Sequence, residues 1–384
     1  MSIKHDLLHT DVEIAFVEQV EDVLVLSSSF FPSKVGGKPA WLSLTGQPEN
    51  INCKNCKNPM IFLLQVYVPS DDVTSSNYHR TIFIFCCQNG KCYQLRNDNN
   101  SFAVFRCGLP RENIFYPPND VSHEKVGESH KEKLKMENTW TKLCKVCGCP
   151  GSKVCGKCHK VQYCSKQHQS FDWKSGHKKM CGSECKDEIV SCRNVPSLLF
   201  PEYELVSEPE NELVNELENI DELERNCEEL SLSNENMYVM EEYSGLDKDW
   251  KSLEKESRKI NDVVEDKTYL EFRERIHIQP EQVLRYERHG TPLWVSNLNK
   301  PNESDIPNCV CGAKRTFEFQ VLPQLLNHLK VDSLEASIDW GTLAVYTCSE
   351  DCSQDDIAYH EEFLWKQDFC NTGIPAEILS KIKS

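Results

Sequence analysis

Residues 53–69 read CKNCKNPMIFLLQVYVP, and residues 309–323 read CVCGAKRTFEFQVLP. When Cys56 is aligned with Cys311, the Gln-Val pairs of the two stretches coincide without a gap, and the strand alternation is preserved. Each stretch places two cysteines directly before a run of β-branched and aromatic residues, which is typical of a strand. The two stretches therefore predict two copies of one β unit.

The similarity between the copies extends in both directions. GKPAWLS (37–43) aligns with GTPLWVS (290–296), and TIFIFCCQNGKC (81–92) aligns with TLAVYTCSEDC (342–352). Because several matches recur in one order, we interpret the chain as an internal duplication, with copies at about residues 30–115 and 284–370. The paired tryptophans, Trp41 and Trp294, are expected to be core anchors of the two copies.

Each copy has one cysteine pair before a strand and another after a returning strand, which is the layout of a zinc ribbon. The predicted ligands are Cys53, Cys56, Cys87 and Cys92 in the first copy and Cys309, Cys311, Cys348 and Cys352 in the second. Cys87 is preferred to Cys86 because Cys86 aligns with Thr347. The alternative is that these are reduced thiols packed at the end of a β unit.

A denser cysteine block lies between the copies, at residues 144–181. Its eight soft ligands form four pairs: Cys144/Cys147, Cys155/Cys158, Cys164/His168 and His177/Cys181. Zinc requires four such ligands in a tetrahedron, so eight ligands make two closed sites with no position left for a catalytic water. We predict two structural zinc ions here.

The spacing of this block resembles the MYND zinc finger throughout. The resemblance implies an interleaved assignment, with Cys144, Cys147, Cys164 and His168 holding one zinc ion and Cys155, Cys158, His177 and Cys181 holding the other. It also implies docking of short proline-containing peptides, near Gln162, Tyr163, Phe171 and Trp173. The alternative role for Phe171 and Trp173 is packing over the zinc sites.

Composition agrees with a metal-binding protein of the reducing cell interior. The 384 residues include 21 cysteines, and the first residues lack the basic and apolar pattern of a secretion signal. We expect a soluble intracellular protein without a membrane span. The formal net charge is −17, and residues 202–229 hold twelve acids against one arginine. This balance favours a basic protein partner over nucleic acid.

The predicted fold is mainly β, with two similar antiparallel β half-domains flanking the zinc finger. The predicted boundaries are 1–125 for the N-terminal half-domain, 140–182 for the finger, 200–265 for an acidic, largely disordered linker and 266–384 for the C-terminal half-domain. Within the linker, leucines at helical spacing over 210–230 suggest a transient helix. The stretch YLEFRERIHIQPEQVLRYE (269–287) is predicted to be helical.

The whole arrangement resembles the programmed cell death protein 2 family. The motifs that carry the resemblance are the finger, the two GxPxWΦS stretches, FLLQVYVP (62–69), CGAKRTFEFQVLPQLLNHL (311–329), DWGTLAVYTC (339–348) and EEFLWKQD (361–368). They cover nearly all of the chain except the acidic linker.

The resemblance implies a dedicated chaperone that captures a newly made basic ribosomal protein and promotes assembly of the small (40S) subunit, in cytoplasm and nucleus. It implies two zinc ions in the finger, and one more in each half-domain if the outer cysteine sets bind metal. The alternative function is a transcriptional corepressor adaptor, linked to cell proliferation or apoptosis, whose finger binds proline-containing peptides. MYND fingers also accompany methyltransferases, but the chain lacks a phosphate loop, a dinucleotide fingerprint and a zinc-protease motif. We predict no enzyme and no direct nucleic-acid binding.

Overall fold

A computed structural model of the chain describes residues 12–94, 98–116, 140–182, 198–211, 267–331, 337–353 and 357–369. The strands are β1 (Glu13–Glu18), β2 (Lys34–Val35), β3 (Ile61–Tyr67), β4 (His79–Cys86), β5 (Phe102–Leu109), β6 (Lys153–Val154), β7 (Gln162–Tyr163), β8 (Tyr203–Pro209), β9 (Leu284–Tyr286), β10 (Arg315–Val321), β11 (Thr342–Cys348) and β12 (Tyr359–Gln367). The α-helices are α1 (Lys166–Asp172), α2 (Lys178–Met180), α3 (Lys267–Ile278) and α4 (Leu326–Leu329), with a π-helical turn at Trp173–His177. Short 3-10 helices span Val23–Leu26, Ser28–Phe30, Gly90–Tyr93, Glu303–Asp305 and Pro323–Leu325. No helix within these ranges has the length and apolar character needed to cross a membrane.

Ten antiparallel strands form one closed barrel in the order β1-β8-β2-β3-β4-β5-β12-β11-β10-β9. The first copy contributes β2–β5 and the second contributes β9–β12. The copies meet directly at β5 and β12, where Tyr359 lies opposite Cys107 and Glu362 opposite Val104. On the other side β1 and β8 pair with each other and join β9 to β2.

The predicted half-domains are therefore adjacent parts of one barrel. A four-stranded sheet leaves backbone N–H and C=O groups unpaired along both edges, and closing the sheet on itself removes those edges. Residues on both faces of the central strands are buried. All residues of β3 up to Val66 and all of β11 are buried, which is why these strands read as almost continuous apolar runs.

The strand register supports the internal duplication. In the first copy a β-bulge lies between Phe62 and Leu64, opposite Phe85 and Ile84 of β4. In the second copy the bulge lies between Phe317 and Phe319, opposite Tyr346 and Val345 of β11. These positions are the ones that the sequence alignment equates. A bulge is a specific local feature, so its recurrence indicates that both copies have the same strand geometry.

A glutamine side chain holds the tryptophan stretch in each copy. The Gln65 side-chain oxygen accepts from the Ala40 N–H at 2.9 Å, and its amide donates to the Ala40 carbonyl at 3.2 Å. Gln320 makes the same pair of hydrogen bonds with Leu293. Ala40 and Leu293 each precede a tryptophan, so the short repeat of sequence corresponds to a repeat of structure.

The two tryptophans differ in environment. Trp41 is 2% exposed and packs against Phe83 and Phe85, as expected for a core anchor. Trp294 is only partly buried and packs on an outer cluster that includes Tyr346. The prediction of two equivalent core anchors is therefore accurate for Trp41 alone.

The predicted start of the acidic linker is wrong. Residues 203–209 form β8, which pairs along its length with β1, and Leu199, Phe200 and Leu205 are buried in the core. The high acid content concealed the strand, because carboxylates alternate with and flank its apolar positions, and the flanking Glu202 and Glu210 are ion-paired, with Lys34 and Arg275. Residues 212–265, including most of the suggested helix at 210–230, lie outside the described residues.

The helix predicted over 269–287 is too long. Helix α3 ends at Ile278, and Leu284–Tyr286 form strand β9. Pro280 explains the break, because proline lacks the N–H that a continuing helix needs and disfavours helical geometry at the residue before it. The chain turns there and enters the barrel beside β1 and β10.

Candidate metal centres

The first finger site brings together the four residues assigned to it from the sequence. The ligand atoms of Cys144, Cys147, Cys164 and His168 all lie within 4.8 Å of one another. The Cys147 and Cys164 sulfurs are 3.5 Å apart, and the Cys164 sulfur is 3.1 Å from His168 Nδ1. Four ligands about 2.3 Å from a tetrahedral zinc ion would be separated by about 3.8 Å. The donor set and its spacing fit one zinc ion.

The second finger site has the same character. It is formed by Cys155, Cys158, His177 and Cys181, again within 4.8 Å of one another. His177 Nε2 lies 3.4 Å from the Cys155 sulfur and 3.5 Å from the Cys158 sulfur. Three thiolates and one imidazole in a closed cluster fit structural zinc.

Local sequence explains how the finger positions its ligands. Ser165 caps α1, and its hydroxyl accepts from the His168 N–H at 3.1 Å. This cap places His168 on the first turn, beside Cys164. At the other end of the helix, Asp172 accepts a hydrogen bond of 2.6 Å from the hydroxyl of Tyr163, which is fully buried in β7. The π-helical turn at 173–177 then re-aims the chain so that His177 reaches the second site.

Two of the residues suggested for a peptide groove have structural roles. Tyr163 is buried and cannot contact a peptide, which corrects the expectation for that residue. The Trp173 ring packs edge-on against His177, with centroids 5.9 Å apart, in agreement with the packing alternative. Phe171 lines a cavity of about 290 Å³ with Pro59 and Leu198, at the boundary between the finger and the first copy.

The finger is fused to the first copy of the barrel. The Trp41 indole N–H donates to the Gly148 carbonyl at 2.7 Å, and the Thr141 hydroxyl donates to the Leu44 carbonyl at 2.9 Å. Buried finger residues, including Cys144 and Val146, belong to the same apolar core as the barrel. The finger is thus a docked part of one body.

Replacing Gly148 with alanine is expected to weaken this docking. Gly148 has φ +73°, and an added Cβ would lie 2.9 Å from the Lys38 Cβ. A left-handed non-glycine residue costs about 1–3 kcal/mol, and the clash adds to that cost. We expect a lower thermal midpoint and faster hydrogen exchange in residues 39–45. Gly156→Ala is the matched control, because a Cβ there meets nothing within 4 Å. Equal behaviour of the two variants would contradict the role given to Gly148.

The outer cysteines also form the two predicted clusters. Cys53, Cys56, Cys87 and Cys92 make one, and Cys309, Cys311, Cys348 and Cys352 make the other. In the first copy the Cys56 and Cys87 sulfurs are 3.5 Å apart, while Cys86 is outside the cluster and fully buried. In the second copy Cys309 and Cys352 are 3.5 Å apart. Four thiols in each cluster fit a structural zinc site whose ligands are all cysteine.

One thiol in each outer cluster has a lowered pKa. The backbone N–H of Ala313 is the main cause that lowers the pKa of Cys311 to about 7. At the aligned position burial opposes ionisation of Cys56, but the Asn58 backbone N–H and neighbouring thiols prevail and lower its pKa to about 7. Because zinc binds the thiolate, this shared feature favours metal binding in both copies.

Sequence reasoning missed a buried charge network that joins the second outer cluster to the first copy. Asp351 lies in the turn between Cys348 and Cys352, and its carboxylate accepts from Arg80 Nε at 2.9 Å. Its carbonyl accepts from the Asn77 amide at 2.7 Å. The turn between Cys348 and Cys352 in the second copy is thereby hydrogen-bonded to the start of β4 in the first copy.

Two further ion pairs of this network are buried in the barrel. Arg80 Nη2 lies 2.8 Å from Glu318 Oε2, and Arg106 Nε lies 2.8 Å from Glu362 Oε1. The four side chains are at most 2% exposed. A signal was visible in the sequence, because Glu318 interrupts the apolar strand TFEFQVL at a position where the first copy has Leu63. An acid in a core-facing position requires a buried partner.

Three sequence models of known protein families match parts of the chain. The sequence model of the programmed cell death protein 2 N-terminal domain matches residues 11–123, and that of its C-terminal domain matches residues 266–368. The MYND finger model matches residues 144–181. None of these three models describes an enzyme. No solved structure matches the chain.

Curated relatives match over most of the chain. Programmed cell death protein 2 of Bos taurus is 44% identical over 362 residues, which cover 93% of this chain and 96% of the relative. The Rattus norvegicus protein of the same name is 42% identical, covering 94% and 97%. A Schizosaccharomyces pombe protein named Probable 20S rRNA accumulation protein 4 is 26% identical over 376 residues, covering 86% and 91%.

Proposed function

Since the chain belongs to the programmed cell death protein 2 family, we propose that it acts in ribosome biogenesis as a non-enzymatic chaperone. Its client would be a newly made, basic protein of the small ribosomal subunit. The observation that carries the proposal is the similarity to the fission yeast protein, whose name refers to 20S rRNA and which matches 86% of the chain.

Electrostatics support a basic client. The chain has a formal net charge of −17. On the described surface, acids cluster along the β1–β8 pair and the turn that follows β1, where Glu18, Glu21, Asp22 and Glu208 are all exposed. Clustered carboxylates attract a basic protein and can be exchanged for RNA phosphates when the client is delivered. A client made in the cytoplasm and assembled in the nucleus would take the protein through both compartments.

The proposal is tested by purifying the tagged full-length chain from cells and quantifying co-purified proteins by mass spectrometry. We expect one small-subunit ribosomal protein in excess over all others. A variant with Glu18, Glu21 and Asp22 changed to the corresponding amides should recover less of it. The control variant converts three exposed acids elsewhere, Glu271, Glu274 and Glu281, to amides, which changes the net charge of the protein by the same amount. Recovery of whole subunits in equal proportion, or of no ribosomal protein, would refute the chaperone function.

A corepressor adaptor is the second candidate, favoured by the MYND match and by the cavity beside Phe171. Removing residues 140–182 is a poor test of it, because the finger shares its core with the barrel and its loss would expose Trp41. The purification separates the two candidates without a deletion. Enrichment of proteins with proline-containing motifs, in place of a ribosomal protein, is the result expected of the adaptor.

A further inference from the structure

The second outer cluster receives a hydrogen bond from the first copy of the barrel. Arg106 lies in β5 with its side chain fully buried, and its Nη2 donates to the Cys352 carbonyl at 3.1 Å. The same nitrogen lies 3.8 Å from the Cys352 sulfur, a distance at which sulfur accepts a hydrogen bond. Arg106 Nε is held by Glu362 at 2.8 Å. The guanidinium can serve a carboxylate and a sulfur together because its donors form a planar fork.

The ion-paired network around this hydrogen bond has an excess of positive charge. It joins four arginines to three carboxylates, namely Arg80, Arg106, Arg288 and Arg315 with Glu318, Asp351 and Glu362. In addition, Nη1 of Arg106 is buried and has no hydrogen-bond partner among the described residues. Four thiolates around one divalent ion carry a net charge of about −2. The metal-loaded second cluster therefore supplies negative charge that this network lacks.

The first outer cluster has no equivalent donor among the described residues. Arg106 lies opposite Ile82 in the β4–β5 pair. Lys366 of β12 lies opposite the aligned Leu343 and occupies the equivalent position in the second copy. Lys366 is also fully buried, but it pairs with Asp368. Of these two buried cations, only Arg106 has a cysteine among its described partners.

The turns of the two outer clusters are also held in different ways. In the first copy, the Tyr93 hydroxyl donates to the Cys87 carbonyl at 2.6 Å, so this contact stays within the copy. In the second copy, Asp351 is held by Arg80 and Asn77, which both belong to the first copy. The first cluster can therefore form without the seam between β5 and β12, whereas the surroundings of the second are complete only when the copies are joined.

We propose that Arg106 is a positioning residue of the second outer metal site, and that metal binding there is coupled to closure of the barrel between β5 and β12. The guanidinium stabilises the Cys352 thiolate of the loaded site, and the loaded site compensates the buried charge of Arg106. Such coupling is reciprocal, so an open seam weakens metal binding and loss of the metal weakens the seam. The inference rests on zinc binding by the outer cysteines and is independent of the proposed client.

Arg106→Lys tests the effect of the seam on the metal. Lysine keeps a positive charge beside Glu362, but its single ammonium cannot also reach Cys352. The full-length zinc protein is titrated with EDTA, and alkylation of each cysteine by N-ethylmaleimide is measured by mass spectrometry. We expect the second outer cluster to become reactive at about 10–100-fold lower EDTA concentration, because losing an outer hydrogen bond typically reduces metal affinity by that factor. The first outer cluster is the internal reference and should not change.

Arg285→Lys is the matched control. Arg285 is also a buried arginine of the barrel, but it pairs with Glu210 and contacts no cysteine in the described part of the chain. The thermal midpoint of both variants reports any general loss of stability. We expect the control to leave the EDTA titration of both outer clusters unchanged relative to each other. An equal shift of both clusters in Arg106→Lys, or no shift, would show that Arg106 serves only the fold.

Two aligned cysteine variants test the effect of the metal on the seam. Cys311→Ser removes a ligand from the second outer cluster, and Cys56→Ser removes the aligned ligand from the first. We expect hydrogen exchange at the paired residues 104–107 and 359–362 to accelerate in Cys311→Ser only. Equal exchange in the two variants would overturn the proposal. A second outer cluster that holds no zinc in the unmodified protein would overturn it as well.

Discussion

Replacing Glu318 with alanine is expected to lower the free energy of unfolding by about 3–5 kcal/mol, which is the cost of leaving one member of a buried ion pair unpaired. Arg80 is 2% exposed and Glu318 is fully buried. Without the carboxylate, the guanidinium keeps its bond to Asp351 and a longer one to the Thr347 hydroxyl, but it loses the buried charge that compensates for its removal from water. Chemical denaturation with a two-state fit measures the effect.

Two further variants sharpen this prediction. Glu303→Ala removes an exposed acid that pairs weakly with Lys314 and should change stability by less than about 1 kcal/mol. The double change Arg80→Met with Glu318→Leu removes both charges and places leucine where the first copy has Leu63. It should recover most of the lost stability, because a buried ion pair can often be replaced by apolar residues. A Glu318→Ala protein as stable as the parent would contradict the role of the pair.

The pair also predicts a pH dependence. Burial alone would raise the pKa of Glu318, but the adjacent Arg80 outweighs it and the pKa lies below its ordinary value. A carboxyl whose folded-state pKa is depressed stabilises the fold above its unfolded pKa and loses that contribution as pH falls through the folded value. The difference in stability between the parent and Glu318→Ala should therefore shrink on acidification below about pH 4.

Zinc removal is expected to have the largest effect of all. Structural zinc sites contribute about 10–16 kcal/mol of apparent binding energy at neutral pH, which in a small module is folding energy. Native mass spectrometry should find four zinc ions per chain, and Cys155→Ser should lose one. Because the finger core is continuous with the barrel, hydrogen exchange should accelerate both in the finger and around Trp41.

Cys149→Ala is the matched control, since Cys149 is a buried finger cysteine that belongs to none of the four clusters. It should retain four ions. Two ions per chain would mean that the outer cysteines are reduced thiols at the ends of β units. Loss of no ion from Cys155→Ser would contradict the second finger site.

The four candidate metal clusters were predictable because their ligands occur in the sequence as closely spaced pairs. Short cysteine spacings identify the ligand pairs, the resemblance to the MYND finger implies which finger pairs share an ion, and the alignment of the copies separated Cys87 from Cys86. The structure brings all sixteen predicted residues together in the four predicted sets. The β character of the two copies was likewise visible in residue type and alternation.

The joining of the copies was not predictable, because it depends on pairing between distant edges. Nothing near Cys107 specifies that Tyr359 will lie opposite it. The strand β8 was hidden by its carboxylates, and the docking of the finger rests on a bond between the Trp41 indole and a backbone carbonyl that carries no sequence signal. Among these long-range features, only Glu318 gave a signal in the sequence, because an acid within an apolar strand indicates that it has a buried partner.

The seam between β5 and β12 has a consequence for synthesis on the ribosome. Residue 107 leaves the ribosome about 250 residues before its partner, residue 359. At about 5–20 residues per second, this delay lasts about 12–50 seconds. Throughout that interval the edge of β5 is open to other chains, and for most of it Glu318, the buried partner of Arg80, has not yet been synthesised. The barrel of this proposed chaperone therefore stays open during its own synthesis until β12 is made. The yield of folded protein should depend on the speed of translation.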